Sequence, residues 1–504
     1  LAAVGYRRRE VPLKSADTCR AKITDKGKQP RARSINFVDL PDVPNIPGLA
    51  PVSPDRYDKD TAIAGIKHRY ARNVPVMDPK LNRRFKRFVA RWVRSAYQPL
   101  SYIMSFDEWL ASTSYNEHRK QQLREVYDRI VRGELHYPET RCERNLFRAV
   151  KAFIKLEAYP CYKNARHINA RCDIAKVVFG PICKSMETVV YENPCFIKHV
   201  PLPLRPALLR SLKQAGCRYL ESDHTAFEAH MSKDVMEVIE VTVIDHLLSK
   251  FPNLTELFAK VEMGENHISL DIGIKVVMQY CRCSGDMWTS LCNGLVNLLS
   301  FLFACDFIGS RFCGGYVEGD DGIFAVQGAL PSSKLMERLG FEVKYVEHDD
   351  PATASFCGLI LAGDDIIRDP VKFFQSFGWS DRFIGGNAAT KRQLALAKAL
   401  SALYETPNCP LVSAAARHVY NKTRGVTPRF DGTSYKQVPR DFNPPNTRIS
   451  PQTRELFAVK FGVSPTTQVS WEAQIEKGDF SVLSDLPNVH PDVRDYATRY
   501  VERQ

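Results

Sequence analysis

Between Gly216 and Gly358 the hydrophobic period of the chain changes repeatedly, short apolar–polar alternations giving way to longer helical spacings, the mark of an α+β core. In Tyr219-Leu-Glu-Ser-Asp223 the alternation ends on an acid, so Asp223 is expected at the exposed end of a strand, with a helical pattern resuming near Lys233. Two strand-like runs in Phe312–Gln327 flank Gly319-Asp320-Asp321-Gly322; a tight hairpin there puts adjacent aspartates at its tip, because Gly and Asp tolerate the backbone angles of such turns. Between these sites, Cys283-Ser-Gly-Asp-Met-Trp-Thr-Ser-Leu-Cys-Asn293 begins as a small-residue loop and passes into an apolar helix reaching Ala304. Its most apolar part, Leu295–Cys305, contains Asn297 and stops at Asp306 before bilayer length, so it reads as a core helix. Further helical patterns cover Lys80–Ser95, Ser332–Gly340 and Lys391–Glu405, and Phe341–Val346 reads as a strand.

Composition changes this picture in three ways. With 504 residues and 44% hydrophobic content, the chain can bury a large core and form more than one lobe. Its 70 Lys and Arg against 57 Asp and Glu, a formal charge of +13, suit a polyanionic partner. The 14 cysteines are scattered, and the close pair Cys281 and Cys283 lacks the second tight pair of a zinc knuckle, which points to reduced thiols. Residues 1–40 are polar and basic, and the repeated prolines of residues 41–57 predict a surface-hugging strap or linker. The start of the chain has neither a Met nor a secretory signal pattern, as expected of a processed product or a fragment. Around the apolar stripe of Lys80–Ser95 stand Arg83, Arg84, Lys86, Arg87, Arg91 and Arg94, a face open to three readings: ordinary solvation, RNA contact or a membrane surface.

The candidate chemistry is acidic. Two adjacent ionised carboxylates repel unless a cation compensates them, so Asp320 and Asp321 point to metal binding, and a carboxylate at Asp223 can hold a hard cation as well. Thr289 and Asn293, four apart, share one helical face and can contact the same ribose, while Ser284 and Gly285 allow close approach to a nucleotide. Those residues equally suit a capped helix with polar surface positions, Ser284 or Asp286 serving as the cap.

The order Asp223 with Glu228, then Ser284-Gly285 with Thr289 and Asn293, then Gly319-Asp320-Asp321 resembles the catalytic motifs of positive-strand RNA virus RNA-dependent RNA polymerases. Phe227-Glu-Ala-His230 and the run from Ser284 to Asn293 are most similar to the tombusvirus-like and nodavirus-like branch. Where that family usually has a second Asp five positions after the first, this chain has Glu228, which keeps charge and acceptors but adds a methylene. Upstream, Lys151–Cys172 resembles the basic segment over the incoming triphosphate, with Lys155, Lys163, Arg166 and Arg171 at the matching positions and Glu157 as their organiser. Lys344 matches the proton donor to departing pyrophosphate and equally suits a salt-bridged strand residue, while Ser355–Ile360 matches a segment supporting the nascent strand.

The resemblance implies a right-hand α+β fold: a strap at 1–60, fingers over 61–215, a palm of antiparallel sheet plus helices over 216–360 with an inserted fingers portion around 245–280, and a mainly helical thumb over 361–504. It implies template-directed RNA synthesis from NTPs. Asp223 and Asp320, supported by Asp321, would hold two Mg²⁺ or Mn²⁺ ions roughly 3.5 to 4 Å apart. Lys155, Lys163, Arg166, Arg171, Glu228, Ser284, Gly285, Thr289 and Asn293 would bind the nucleotide. Implied partners are template and nascent RNA, NTPs and a viral or host membrane-recruiting protein, in a membrane-associated replication complex of the host cytoplasm. A reverse transcriptase and a catalytically inactive polymerase-like RNA-binding scaffold are the competing readings.

Overall fold

The computed structural model describes residues 21–25 and 37–489, apart from residues 44–45, 47–48, 50, 52, 55, 135–146, 158–162, 363–364, 431–437, 440, 447 and 488. The fold is mixed α+β. Strands β1 (Ala21–Asp25), β3 (Ala149–Ile154), β4 (His167–Arg171), β6 (Glu265–Leu270) and β7 (Ile274–Gln279) form one sheet in the order β1-β7-β6-β3-β4. Its pairs are antiparallel except β3 with β6. A second sheet, in the order β10-β5-β9-β8, is antiparallel throughout: β5 is Arg218–His224, β8 Arg311–Glu318, β9 Asp321–Gln327 and β10 Val343–His348.

Alternation along these strands sorts the second sheet into two faces. Leu220, Phe324, Val326 and Val343 point into the largest apolar cluster, with the helices. Tyr219, Ile323 and Ala325 point the other way, into a smaller cluster with Leu209, Phe356 and Leu361. Asp223 continues the Tyr219 face and Asp321 the Ile323 face, so both acids stand on the side away from the helical layer. Lys344 pairs directly with Asp223 across β10 and β5 and shares that side.

The helical layer contains α1 (Pro79–Ala96), a helical stretch α2 built from Lys233–Val235, a π-turn segment Met236–Val241 and Thr242–Leu247, then α3 (Pro252–Glu262) and α4 (Thr289–Ile308). In α1, Asp78 caps the N-terminus and Pro79 occupies the first turn, where its missing N–H costs nothing. Leu81, Phe85, Val89 and Val93, spaced by four, are buried. Apolarity all round marks α4 as the core helix: by length and composition it could cross a membrane, but Leu291 through Ser300 are buried without interruption. It passes close to its neighbours at Gly294, where a Cβ would lie 2.8 Å from the Phe196 ring.

A separate apolar cluster unites helices α5 (Pro370–Phe377), α6 (Ala388–Glu405), α7 (Val412–Lys422), α8 (Pro451–Phe461) and α9 (Pro465–Glu476). Leu40, Val43, Ile46 and Leu49 are buried in it, and β2 (Val38–Asp39) pairs with the short strand Trp379–Ser380. The proline-rich segment therefore differs from the expected surface strap, because its apolar residues between the prolines supply part of a core.

Candidate active site

The β8–β9 hairpin closes through Gly319 and Asp320, with Glu318 paired to Asp321 on either side. Gly319 takes the left-handed conformation, φ 64°, that an L side chain resists. Asp223 lies one step beyond the Ser222–Gly322 pair of β5 and β9, which brings it beside Asp321. Crowding of carboxylates follows, and it is visible in proton affinity. Loss of water, then the charges of Asp320, Glu318 and Asp223, push the Asp321 carboxyl up to about 7, against a hydrogen bond involving Cys357.

Two contacts hold the hairpin in place. Arg205 binds Glu318 at 2.6 Å, fixing the strand end before the turn. Asn297 of α4 donates from Nδ2 to the carbonyl of Asp320 at 3.0 Å and towards that of Gly319 at 3.4 Å. Its Oδ1 lies 3.3 Å from His224 Nε2, at the end of β5. Burial lowers His224 to about 4, so the ring is neutral near pH 7 and can donate from Nε2 to that oxygen. One amide thus joins the two strand ends that carry the acids.

Glu228 sits on a single 3₁₀ turn, Phe227–His230, entered through Ala226 at φ 49°. Burial raises its carboxyl pKa and Asp320 adds to the rise, while Arg69 and Arg166 oppose it. Glu228 therefore shares an electrostatic environment with the hairpin tip and with a cation of the β3–β4 loop. Lys155 and Arg166 both bind Glu157, at 2.5 and 2.6 Å, and the Lys155 N–H donates to the Arg166 carbonyl at 2.8 Å. Lys163 and Arg166 act electrostatically on Lys372 of α5, which burial, first, and neighbouring cations lower.

Arg171 departs from the expectation of a triphosphate contact. Its guanidinium is buried, with Nε and Nη2 each 2.8 Å from Asp286, Nη2 also 2.8 Å from Asn266, and Nη1 3.0 Å from the Phe147 carbonyl. It spans β4 and the loop before α4, so it supports the Ser284-Gly285 segment from behind. Asp286 is consequently occupied as an ion-pair partner, and α4 begins after Trp288 with no side-chain cap. Gly285 is required by that packing: a Cβ there would meet the Asn169 carbonyl at 2.7 Å. Thr289 Oγ1 donates to the Cys283 carbonyl at 3.2 Å, and Asn293, buried one turn on, accepts from Arg282 Nε at 3.0 Å. Ser284 is half-buried on the loop that precedes both.

Asn297, Glu318, Arg205 and Arg282 were missed by sequence reasoning as site residues. Their partners in the site lie 11 to 113 residues away with no fixed spacing, and only Asn297 carried a local signal, as a polar residue in an otherwise apolar helix.

Among the described residues no three Asp, Glu, His or Cys side chains converge as a ready-made ion cage. The donor set at the strand ends nevertheless fits a hard divalent cation: all its donors are oxygens, and the raised Asp321 carboxyl records a repulsion that a cation would relieve. A mixed α+β chain with acids at the ends of antiparallel strands, and an arginine of a neighbouring hairpin acting on Glu228 beside them, has the make-up of a phosphate-handling enzyme. The family model for RNA dependent RNA polymerase matches residues 75–402, about two-thirds of the chain. The chain belongs to that family, the RNA-dependent RNA polymerases of positive-strand RNA viruses, and is a nucleotidyltransferase. Its partners therefore include RNA and NTPs, and viral polymerases of this kind work in the host cytoplasm. No curated protein matches the sequence.

Proposed function

We propose that the chain replicates a viral RNA genome by template-directed addition of NTPs at a centre formed by Asp223, Asp320 and Asp321, and that it belongs to the tombusvirus-like or nodavirus-like branch. The observation carrying this reading is the strand register that sets Asp223 beside Asp321 at the Gly319-Asp320 turn. In the right-hand layout, residues 61–215 act as fingers, 216–360 as palm with an inserted fingers portion around 245–280, and 361–504 as thumb, residues 1–60 being an extension that lends Leu40, Val43, Ile46 and Leu49 to the thumb core.

Asp223, Asp320 and Asp321 would hold two divalent ions, Mg²⁺ or Mn²⁺, which when bound neutralise phosphate charge and make the RNA 3′-hydroxyl more acidic. Lys155, Lys163 and Arg166 orient the triphosphate and offset negative charge growing on its bridging oxygen. Glu228, Ser284, Gly285, Thr289 and Asn293 grip the sugar and its surroundings, Glu228 replacing the more usual Asp. Lys344, exposed and across from Asp223, supplies a proton as pyrophosphate leaves. Base identity is left to pairing with the template, which suits A-form RNA, whose deep major groove is closed to side chains. A viral or host protein brings the enzyme to a membrane-associated replication complex.

Purified chain with an annealed primer and template, four NTPs and Mg²⁺ should extend RNA, and Asp320→Ala should lower turnover by about 10³-fold or more while circular dichroism stays unchanged. Equal inactivity of both proteins over a range of templates and ions would favour the inactive scaffold. Preferential use of dNTPs would favour a reverse transcriptase.

A further inference from the structure

Arg282 stands just before the Ser284-Gly285 loop, and its side chain is fully buried. Two carboxylates take its guanidinium: Glu240 from the π-turn segment of α2, at 2.5 Å, and Glu262 from the end of α3. The third side of the fork, Nε, donates to Asn293 Oδ1 on α4 at 3.0 Å. Its backbone N–H donates to the carbonyl of Glu228 at 3.1 Å. One residue therefore touches the turn that carries Glu228 and the helix that carries Asn293.

A buried charge cluster of this kind is a poor source of stability, because removing ions from water costs about as much as their pairing returns. What it does supply is orientation. An Asn amide has one acceptor end and one donor end, and Arg282 can satisfy only the acceptor. Turning the amide over would set its NH₂ group against a guanidinium NH, two donors facing each other inside the protein. The donors of Asn293 are thus directed away from Arg282, and the Glu228 carbonyl is tied at a fixed distance from the same residue.

We propose that Arg282 is a positioning residue for sugar selection, holding the Asn293 amide donors and the Glu228 turn in the register that recognises the 2′-hydroxyl of the incoming ribonucleotide. This rests on the reading of Glu228 and Asn293 as sugar-facing groups. Arg282 itself touches neither substrate nor metal. It acts through the two residues it holds, so its loss changes which sugar is accepted more than whether phosphoryl transfer occurs.

The test is single-nucleotide addition to an annealed RNA primer and template, comparing kcat/KM for an NTP with that for its 2′-deoxy counterpart. Arg282→Lys keeps the charge but loses the three-way fork. It should lower the NTP:dNTP ratio by about tenfold or more, most of the loss falling on the NTP. Asn293→Asp keeps the acceptor for Arg282 and removes the donors; it should lower the ratio similarly, and Arg282→Lys added to it should lower the ratio little further. If Arg282→Lys does not fold, Glu240→Gln, which weakens one anchor without changing its shape, should give a smaller drop in the same direction. NTP and dNTP rates falling by one common factor in the folded variant, or an additive double variant, overturns the proposal. Failure of the wild-type chain to extend RNA at all instead overturns the underlying assignment of the site, and this proposal with it.

Discussion

Asp321 shows how a single residue can report on what its site is built to hold. Its carboxyl is raised to about 7 by lost hydration and by Asp320, Glu318 and Asp223. A raised carboxyl binds its proton more tightly in the folded chain than in the unfolded one. Without a cation, its ionisation therefore costs stability as pH climbs from the usual carboxylate range towards 7, and the cost is complete above that. Asp321→Asn should raise the Tm of divalent-free protein at pH 8 by about 1 to 3 °C and by less at pH 5. Saturating Mg²⁺ should reverse the order, stabilising the wild type more than the variant. Differential scanning fluorimetry at both pH values checks this; an equal gain at pH 5 and pH 8 would show that the neighbouring charges are not its source. The acids themselves were legible in the chain because strand alternation and a Gly-Asp-Asp-Gly turn are local patterns. Arg171 was misread because nothing near it in sequence announces Asp286, 115 residues on, which occupies its guanidinium.

Among elements, the informative joint is between helix α4 and the β8–β9 hairpin. Asn297 is buried in an apolar helix, yet it reaches the backbone of the turn and the His224 ring. Deleting a buried hydrogen-bonding group of this type costs about 1 to 3 kcal/mol. Asn297→Ala should therefore lower both stability and kcat, the latter by about tenfold, with little change in KM for NTP, because the hairpin loses its position and not its binding groups. Thermal melts beside single-turnover rates decide the point: a lower Tm with full kcat would make Asn297 a purely structural residue. Element identity was largely readable here, including the core helix, the hairpin and the Val343–His348 strand, since each has its own hydrophobic period. The parallel pairing of β3 with β6 was not, because it joins residues more than 100 apart and rests on backbone hydrogen bonds that leave no spacing signal.

At the scale of the whole molecule, a further basic surface lies on the side of the palm-like sheet opposite the acids. The catalytic candidates stand on the face of the β10-β5-β9-β8 sheet away from the helical layer, whereas α1 is part of that layer and turns Arg83, Arg87 and Arg94 to solvent. Among the described residues none of these three makes an ion pair. In a chain of net charge +13 whose partner is RNA, they should contribute to general RNA retention and not to chemistry. Replacing all three with Ala should reduce the slope of log affinity against log salt by about 2 for single-stranded RNA, with turnover at saturating RNA unchanged. A fluorescence-anisotropy salt titration measures it, and an unaltered slope would remove α1 from the RNA-binding surface. The burial of Leu40, Val43, Ile46 and Leu49 among helices that end near Leu486 also has a temporal side. A ribosome reaches the nearest partners of this segment, at Gly378 and Trp379, more than 300 residues after the segment itself, a wait of roughly 15 to 70 s at ordinary elongation rates. Throughout that interval the nascent polypeptide carries a greasy ribbon with nowhere to dock, so chaperone capture and proteolytic clipping should concentrate there until those partners leave the tunnel.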